Sequence, residues 1–114
     1  MIQFLSVSKK FKGGIVAIED ISFEIEEGEF VFLVGPSGSG KTSIIKLLIR
    51  EDVPTEGKVF FNNADITKFS RNQVYQLRRK IGVIFQDFKL IPELTAAENI
   101  AFAMEAAGKS EREI

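Results

Sequence analysis

The chain has 114 residues, the length of one small domain, and its hydrophobic content of 45% is typical of a globular protein. A formal net charge of −1 argues against binding of nucleic acid by bulk electrostatics. Cysteine and histidine are absent, which excludes disulfides, thiolate zinc sites and any mechanism of this chain that needs an imidazole or a thiol. No signal peptide or membrane-spanning apolar run is present, so we expect a cytoplasmic chain.

The amino-terminal part of the chain predicts a half-exposed antiparallel sheet. Apolar residues recur through 2–7, which indicates a first strand. A basic turn with two glycines follows at 9–14. Residues 21–26 then alternate between apolar and polar side chains, which is typical of a strand with one face in water.

The stretch 29–50 carries the most specific pattern in the sequence. A continuous apolar run at 30–34 predicts a strand buried on both faces. The motif G-x-x-x-x-G-K-[ST] follows at 35–42, and 43–49 is again mostly apolar, as in a helix. This order of strand, glycine-rich loop and helix is the setting in which the motif binds phosphate. No carboxylate interrupts the loop.

Each residue type in the loop has a chemical reason. We expect Gly35, Gly38 and Gly40 to adopt positive φ and to turn N–H groups toward phosphate oxygens. Lys41 is expected to reach the β- and γ-phosphates, and the Thr42 hydroxyl to ligate Mg²⁺. A turn that merely joins a strand to a helix would need neither of these two side chains. The predicted nucleotide-binding residues here are Gly35, Pro36, Ser37, Gly38, Ser39, Gly40, Lys41, Thr42 and Ser43.

The remainder of the chain alternates strands and helices. A linker at 51–57 leads to a short strand at 58–61, and the S-x-x-Q capping box at 70–73 predicts a helix to about residue 79. A second buried-type strand is predicted at 81–85. Strand, helix and strand around the phosphate loop imply a parallel α/β core.

Two further capping boxes lie near the carboxyl end. T-x-x-E at 95–98 opens an alanine-rich helix with Gly108 as a plausible stop. S-x-x-E at 110–113 is a helix start with no helix after it, which predicts a truncated chain.

Several nucleotide-binding classes share the phosphate loop. Residues 62–65 are superficially similar to the guanine-reading N-K-x-D element of small GTPases, but the lysine is missing and the segment lies too close to the loop. The other features resemble the nucleotide-binding domain of ATP-binding-cassette (ABC) transporters. Segment 57–66 is similar to the family's G-x-V-x-x-N-G-x-D-I hairpin, with Asn63 in place of glycine, and 77–92 resembles the family's Q-loop region.

The resemblance implies an α/β fold and covers the amino-terminal half of one ATP-binding domain. The expected architecture is a P-loop NTPase core, with a partial parallel sheet and helices, plus an antiparallel β subdomain and the start of a helical subdomain. The corresponding ranges are 1–28 and 57–66 for the β subdomain, 29–50 and 67–87 for the core, and 88–114 for the helical subdomain. Because parallel sheets are normally covered on both faces, we expect exposed apolar surface, low stability or self-association for this stretch alone.

The resemblance also implies ATP and Mg²⁺ as ligands. Gln86 matches the family's glutamine that approaches Mg²⁺ and the attacking water, and is a candidate catalytic residue together with Lys41. From the residue alone, a solvated glutamine at the end of a strand is the favoured interpretation of Gln86. Phe11 matches the aromatic residue that stacks on adenine. The alternative is that Phe11 belongs to the core.

Within the family, segments 49–57 and 86–90 are most similar to cell-division ATPases, with lipoprotein-release and macrolide-export ATPases as alternatives. This resemblance implies a second ATPase subunit in a head-to-tail dimer and a polytopic, FtsX-like membrane protein that holds the chain on the inner face of the membrane. The candidate contacts for that partner are Phe88, Leu90, Ile91 and Pro92. The same segment could instead pack on the chain's own helix.

Three family elements are absent from the sequence: the L-S-G-G-Q signature, an apolar run followed by Asp-Glu (the Walker B element), and the switch histidine. The chain can therefore supply only one side of a shared ATP site. We expect the parent protein to be an ATPase, whereas these 114 residues bind nucleotide at most. A phosphate-binding scaffold that does not hydrolyse ATP and a different phosphate-loop enzyme, such as a nucleotide kinase, remain alternatives.

Overall fold

The computed structural model describes residues 1–36, 38–85 and 89–114. It contains two compact units, residues 1–78 and residues 79–114. The sheet, the phosphate loop and the helix that follows the loop all lie in the first unit.

The first unit is built on a four-stranded antiparallel sheet. The strands are β1 (Ile2–Lys10), β2 (Val16–Ile25), β3 (Glu56–Phe61) and β4 (Ala64–Asp65). Their order in the sheet is β2-β1-β3-β4, so β1 pairs with β2 on one side and with β3 on the other. The predicted first and second strands are thereby confirmed, and both are longer than predicted. The predicted turn at 9–14 is shorter in the structure, because Lys9 and Lys10 belong to β1.

Alternation along the strands places one face of the sheet in the core. Phe4 of β1 lies opposite Phe23 of β2, and their rings stack with centroids 4.5 Å apart. The turn between β3 and β4 uses Asn62 and Asn63, with φ values of 49° and 68°, a left-handed conformation that asparagine tolerates. The buried apolar residues of the unit are Phe4, Val7, Ile18, Leu47, Ile49, Val59, Ile66, Val74 and Leu77.

Two helices and a short 3₁₀ turn complete the first unit. Helix α1 spans Lys41–Leu48, the 3₁₀ turn spans Ile66–Lys68, and helix α2 spans Arg71–Arg79, at the boundary of the unit. The predicted capping box forms at α2, because Ser70 and Gln73 exchange hydrogen bonds of 2.9 and 3.4 Å.

The second unit contains helix α3 (Ala96–Ala106). Thr95 and Glu98 form the predicted capping box, and the hydrogen bonds from Thr95 hold the pKa of the Glu98 carboxyl below its ordinary value. The helix ends before Gly108, whose φ of 80° confirms it as the stop.

The two apolar runs that predict buried strands differ from expectation. Segments 30–34 and 81–85 have no strand pairing with any part of the chain that the structure describes. Phe30, Phe32 and Val34 in the first unit are 84%, 77% and 88% exposed. Ile84 in the second unit is 92% exposed. An apolar run becomes a buried strand only when hydrogen-bonded neighbours and covering helices are present, and these partners are absent from the described residues.

Across the described ranges, no helix is both long enough and apolar enough to span a membrane.

Candidate nucleotide-binding site

Helix α1 begins directly at the end of the glycine-rich loop, and its first turn has no side-chain cap. Gly40 is the N-cap residue, and no side chain in the described part of the chain accepts a hydrogen bond at this cap. The first turn contains no acidic residue. A helix N-terminus carries unpaired N–H donors and the positive end of the helix dipole. The start of α1 is therefore suited to an anion such as a phosphate.

The loop glycines are required for different reasons. Gly38 and Gly40 have φ values of 82° and 96°, so the predicted left-handed conformation is confirmed there. Gly35 lies outside that region, so the prediction of a positive φ is wrong for this residue. A Cβ on Gly35 would instead lie 2.6 Å from the hydroxyl oxygen of Ser39. Glycine at this position permits a close contact across the loop.

Gly40 also brings the loop against the sheet. A Cβ at this position would lie 2.5 Å from Cγ2 of Ile18 and 2.7 Å from the carbonyl oxygen of Ala17. Both residues belong to the beginning of β2, directly after the turn that carries Phe11. The phosphate loop therefore contacts the same end of β2 that follows the turn at 11–15, which we call the aromatic turn. The loop motif does not predict this contact.

The Lys41 side chain folds back over the loop. Its ammonium donates hydrogen bonds to the carbonyl of Gly35 and, at 3.3 Å, to the carbonyl of Pro36. An ammonium held on the loop can neutralise the charge of a phosphate that binds to the loop N–H groups.

The hydroxyl residues that follow Lys41 differ in their exposure. Thr42 is exposed and Ser43 is half-buried. Ser39, within the loop, is exposed, and its N–H donates to the carbonyl of Pro36 at 3.1 Å. The Thr42 hydroxyl is accessible to a cation next to Lys41, as a phosphate-bound Mg²⁺ would require.

Phe11 lies in the turn between β1 and β2. The residue is 43% exposed, so it does not belong to the buried core. The Phe11 N–H donates to the carbonyl of Ile15 at 2.8 Å, which closes the turn. The Lys9 ammonium lies over the Phe11 ring, 5.2 Å from its centroid. Lys9 is the last residue but one of β1, and no sequence pattern predicts that its ammonium lies over the ring.

The candidate partner segment lies beside helix α3 in the second unit. Leu90 is 66% exposed and Pro92 is exposed, whereas Ile91 is half-buried. Asn99 of α3 accepts from the Ile91 N–H at 2.8 Å and donates to the Ile91 carbonyl at 3.3 Å. Asn99 was not identified from sequence, because only the folded segment brings it to the Ile91 backbone.

An apolar groove runs along this segment and α3. Its volume is about 480 Å³, and Leu90, Ile91, Ile100, Phe102 and Met104 are among the residues that line it. The segment contacts the chain's own helix, as one of the two sequence-based alternatives states, and it leaves an apolar surface open. Its contact with a membrane partner stays a prediction.

Three predicted site residues, Ser37, Gln86 and Phe88, lie outside the described residues. Their roles stay predictions.

The described residues fit a nucleoside triphosphate with Mg²⁺. The uncapped start of α1 and the Lys41 ammonium suit phosphate oxygens, and the exposed Thr42 hydroxyl is a ligand of the kind Mg²⁺ accepts. The exposed Phe11 ring offers an apolar face on the turn before the same strand that contacts the loop.

Comparison with known proteins agrees with this chemistry. The sequence pattern described as ABC transporter matches residues 18–114. The cell division ATP-binding protein FtsE of Bacillus subtilis is 47% identical over 109 residues, which cover 96% of this chain and 48% of that protein. The Escherichia coli K12 protein of the same name is 41% identical over 110 residues, covering 96% and 50%. The chain spans about half the length of the curated relatives it matches.

Solved structures with a similar backbone are also ABC cassettes. The dimeric structure of a bacterial ABC transporter cassette has a TM-score of 0.90 and 38% identity, covering 99% of this chain and 52% of that chain. A dimeric post-hydrolysis cassette bound to ADP and Pi has a TM-score of 0.89 with the same identity and coverage.

Proposed function

The chain belongs to the ABC transporter family, and we propose that it is the nucleotide-binding part of an FtsE-like ATPase that couples ATP binding and hydrolysis to a membrane partner. The observation that carries the proposal is the junction of loop and helix: an uncapped α1 start with the Lys41 ammonium held on the loop beside it. Similarity to FtsE at 41–47% identity in two bacteria supports the cell-division branch.

The described residues suggest a division of roles. The N–H groups at the start of α1 and Lys41 would hold the phosphates, and Thr42 would ligate Mg²⁺. Phe11 would stack on the adenine. When bound, Mg²⁺–ATP supplies the phosphoanhydride that water cleaves. Gln86 is proposed to orient that water and to approach the Mg²⁺.

These residues form one side of an ATP site. The sequence contains neither L-S-G-G-Q nor histidine, so this stretch offers no signature element and no switch residue. We therefore propose a head-to-tail pair of ATPase subunits, and we expect residues 1–114 alone to bind nucleotide without turning it over. The dimeric cassette among the structural neighbours supports this arrangement.

The membrane partner is proposed to contact the groove beside α3. Leu90 and Pro92 are exposed there, and Phe88 completes the predicted contact segment. The partner would be an FtsX-like polytopic protein that keeps the ATPase at the inner face of the cell membrane. The subdomain division stated above, with 1–28 and 57–66 as the β subdomain, is part of the same proposal.

The proposal is tested by measuring ATP affinity after removal of the loop cation. Lys41→Ala should weaken ATP binding about tenfold or more, because a charged hydrogen bond contributes roughly 1.5–3 kcal/mol. Lys46→Ala, in the last turn of α1, removes the same charge outside the loop and should leave ATP affinity unchanged. Unaltered ATP affinity in Lys41→Ala would refute the proposed site.

A further inference from the structure

Lys9, near the end of β1 and just before the aromatic turn, is a residue that the proposed function does not use. The Lys9 ammonium lies 5.2 Å from the centroid of the Phe11 ring. An ammonium at this distance from a ring is attracted by its π-electrons. It occupies one face of the ring, and 43% of Phe11 remains exposed.

Lys9 is itself held in place. Its ammonium donates a hydrogen bond of 2.9 Å to the carbonyl of Val53. Lysine has a flexible side chain with about 2 kcal/mol of rotamer entropy, so a fixed partner is needed to keep the ammonium over the ring. The Val53 carbonyl provides that partner from the segment that follows α1.

The backbone next to Lys9 is tied to the same segment. The Thr55 N–H donates to the Ser8 carbonyl at 2.8 Å, and the Lys10 N–H donates to the Thr55 hydroxyl at 3.0 Å. The residues that lead into the aromatic turn are thus anchored to the stretch between α1 and β3, downstream of the phosphate loop.

We propose that Lys9 is a positioning residue for base recognition: it orients Phe11 for stacking on the base of a bound nucleotide. This inference rests on the proposed function. A ring that is already ordered loses less conformational entropy when the base binds. This smaller loss of entropy increases the affinity for ligands that carry a base and not the affinity for a triphosphate chain alone.

The test compares ATP with inorganic tripolyphosphate on the protein that contains this sequence. Lys9→Met should weaken ATP binding about two- to fivefold, since an exposed cation–π contact contributes roughly 0.5–1 kcal/mol. Tripolyphosphate binding should not change. Lys10→Met is the matched control, because it removes the same charge from an exposed neighbouring residue, and both affinities should be retained.

Two more variants separate orientation from a general structural effect. In a Phe11→Ala background, Lys9→Met should cause no further loss of ATP affinity, because the ring is gone. Lys9→Gln lacks the charge but keeps a donor for the Val53 carbonyl, so it should lose ATP affinity and retain tripolyphosphate affinity. It serves as the test if Lys9→Met fails to fold. Lys9→Arg keeps the positive charge and should bind ATP as tightly as the unaltered protein does.

Three results would overturn the inference. The first is an equal loss of affinity for ATP and for tripolyphosphate, and the second is an additive loss of ATP affinity in the Phe11→Ala background. The third is unchanged ATP affinity in both Lys9→Met and Lys9→Gln. None of these results affects the proposed function. That function fails separately, if the unaltered protein does not bind ATP or if Lys41→Ala binds it equally well.

Discussion

Individual glycines show how closely the loop depends on its neighbours. The spacing of glycine, lysine and threonine is sufficient to predict a phosphate-binding loop. It does not distinguish Gly38, which has open space where a Cβ would lie, from Gly40, which touches β2. Both have positive φ, and only the folded backbone reveals the second constraint.

This difference predicts unequal effects of two alanine substitutions. Gly38→Ala should lower the free energy of unfolding by about 1–2 kcal/mol, the cost of left-handed φ for an L-residue. Gly40→Ala has the same φ penalty and adds overlap with Ile18 and the Ala17 carbonyl, so its loss should be larger by about 1–3 kcal/mol. Urea unfolding measures both. Equal losses would contradict the close approach to β2.

At the scale of elements, local signals located the helix starts well. The capping boxes beginning at Ser70 and Thr95 both form as predicted, because capping involves residues three apart in sequence. The end of α1 carries no comparable local signal. Arg50 follows the helix with φ of 58°, a position that glycine usually occupies. Its guanidinium donates to the carbonyls of Ile66 and Phe69, contacts that depend on a distant turn.

Arg50 should therefore stabilise the end of α1 through its side chain despite its strained backbone. Arg50→Ala removes both hydrogen bonds and keeps the left-handed φ, so it should lower the free energy of unfolding by about 2–3 kcal/mol. Arg50→Gly removes the same bonds but relieves the strain, and its loss should be smaller by about 1 kcal/mol.

The measurement is chemical denaturation of both variants. Arg71→Ala, which removes an arginine from an exposed position of α2, is the control and should change stability by less than about 0.5 kcal/mol. A greater loss for Arg50→Gly than for Arg50→Ala would show that the backbone conformation is not strained.

At the scale of the whole molecule, the apolar segment 30–34 is exposed to solvent although its composition is typical of a buried strand. Phe30 and Phe32 contact each other edge to face, with centroids 5.0 Å apart, yet both remain largely exposed. Exposed apolar patches of this kind mark interaction surfaces or aggregation sites. The expectation of exposed apolar surface is confirmed, whereas low stability and self-association stay predictions.

The 114-residue chain should consequently bind a hydrophobic dye and associate as its concentration rises. Phe32→Ser should reduce both dye fluorescence and association, because it removes an exposed ring from the patch. Tyr75→Ser, on the exposed side of α2, is the control and should leave both unchanged. Dye binding and sedimentation velocity provide the two readouts. A monomer that binds no dye at high concentration would contradict the prediction.

The amino-acid sequence was sufficient to predict the alternating strands and the starts of α2 and α3, because each depends on residues close together in the chain. It also predicts a phosphate-binding loop at 35–42 from the spacing of its residues. The types and spacing of Lys41 and Thr42 also predict their roles toward phosphate and Mg²⁺, and those roles stay predictions.

The folded backbone was needed to show that Gly40 touches β2, because that contact joins distant segments. Lys9 lies over Phe11 while its ammonium donates to the Val53 carbonyl, 44 residues away. Asn99 reaches Ile91 only because the chain between them turns back onto α3. Tertiary structure likewise decided that 30–34 remains exposed, because burial depends on partners and not on the apolar character of the run.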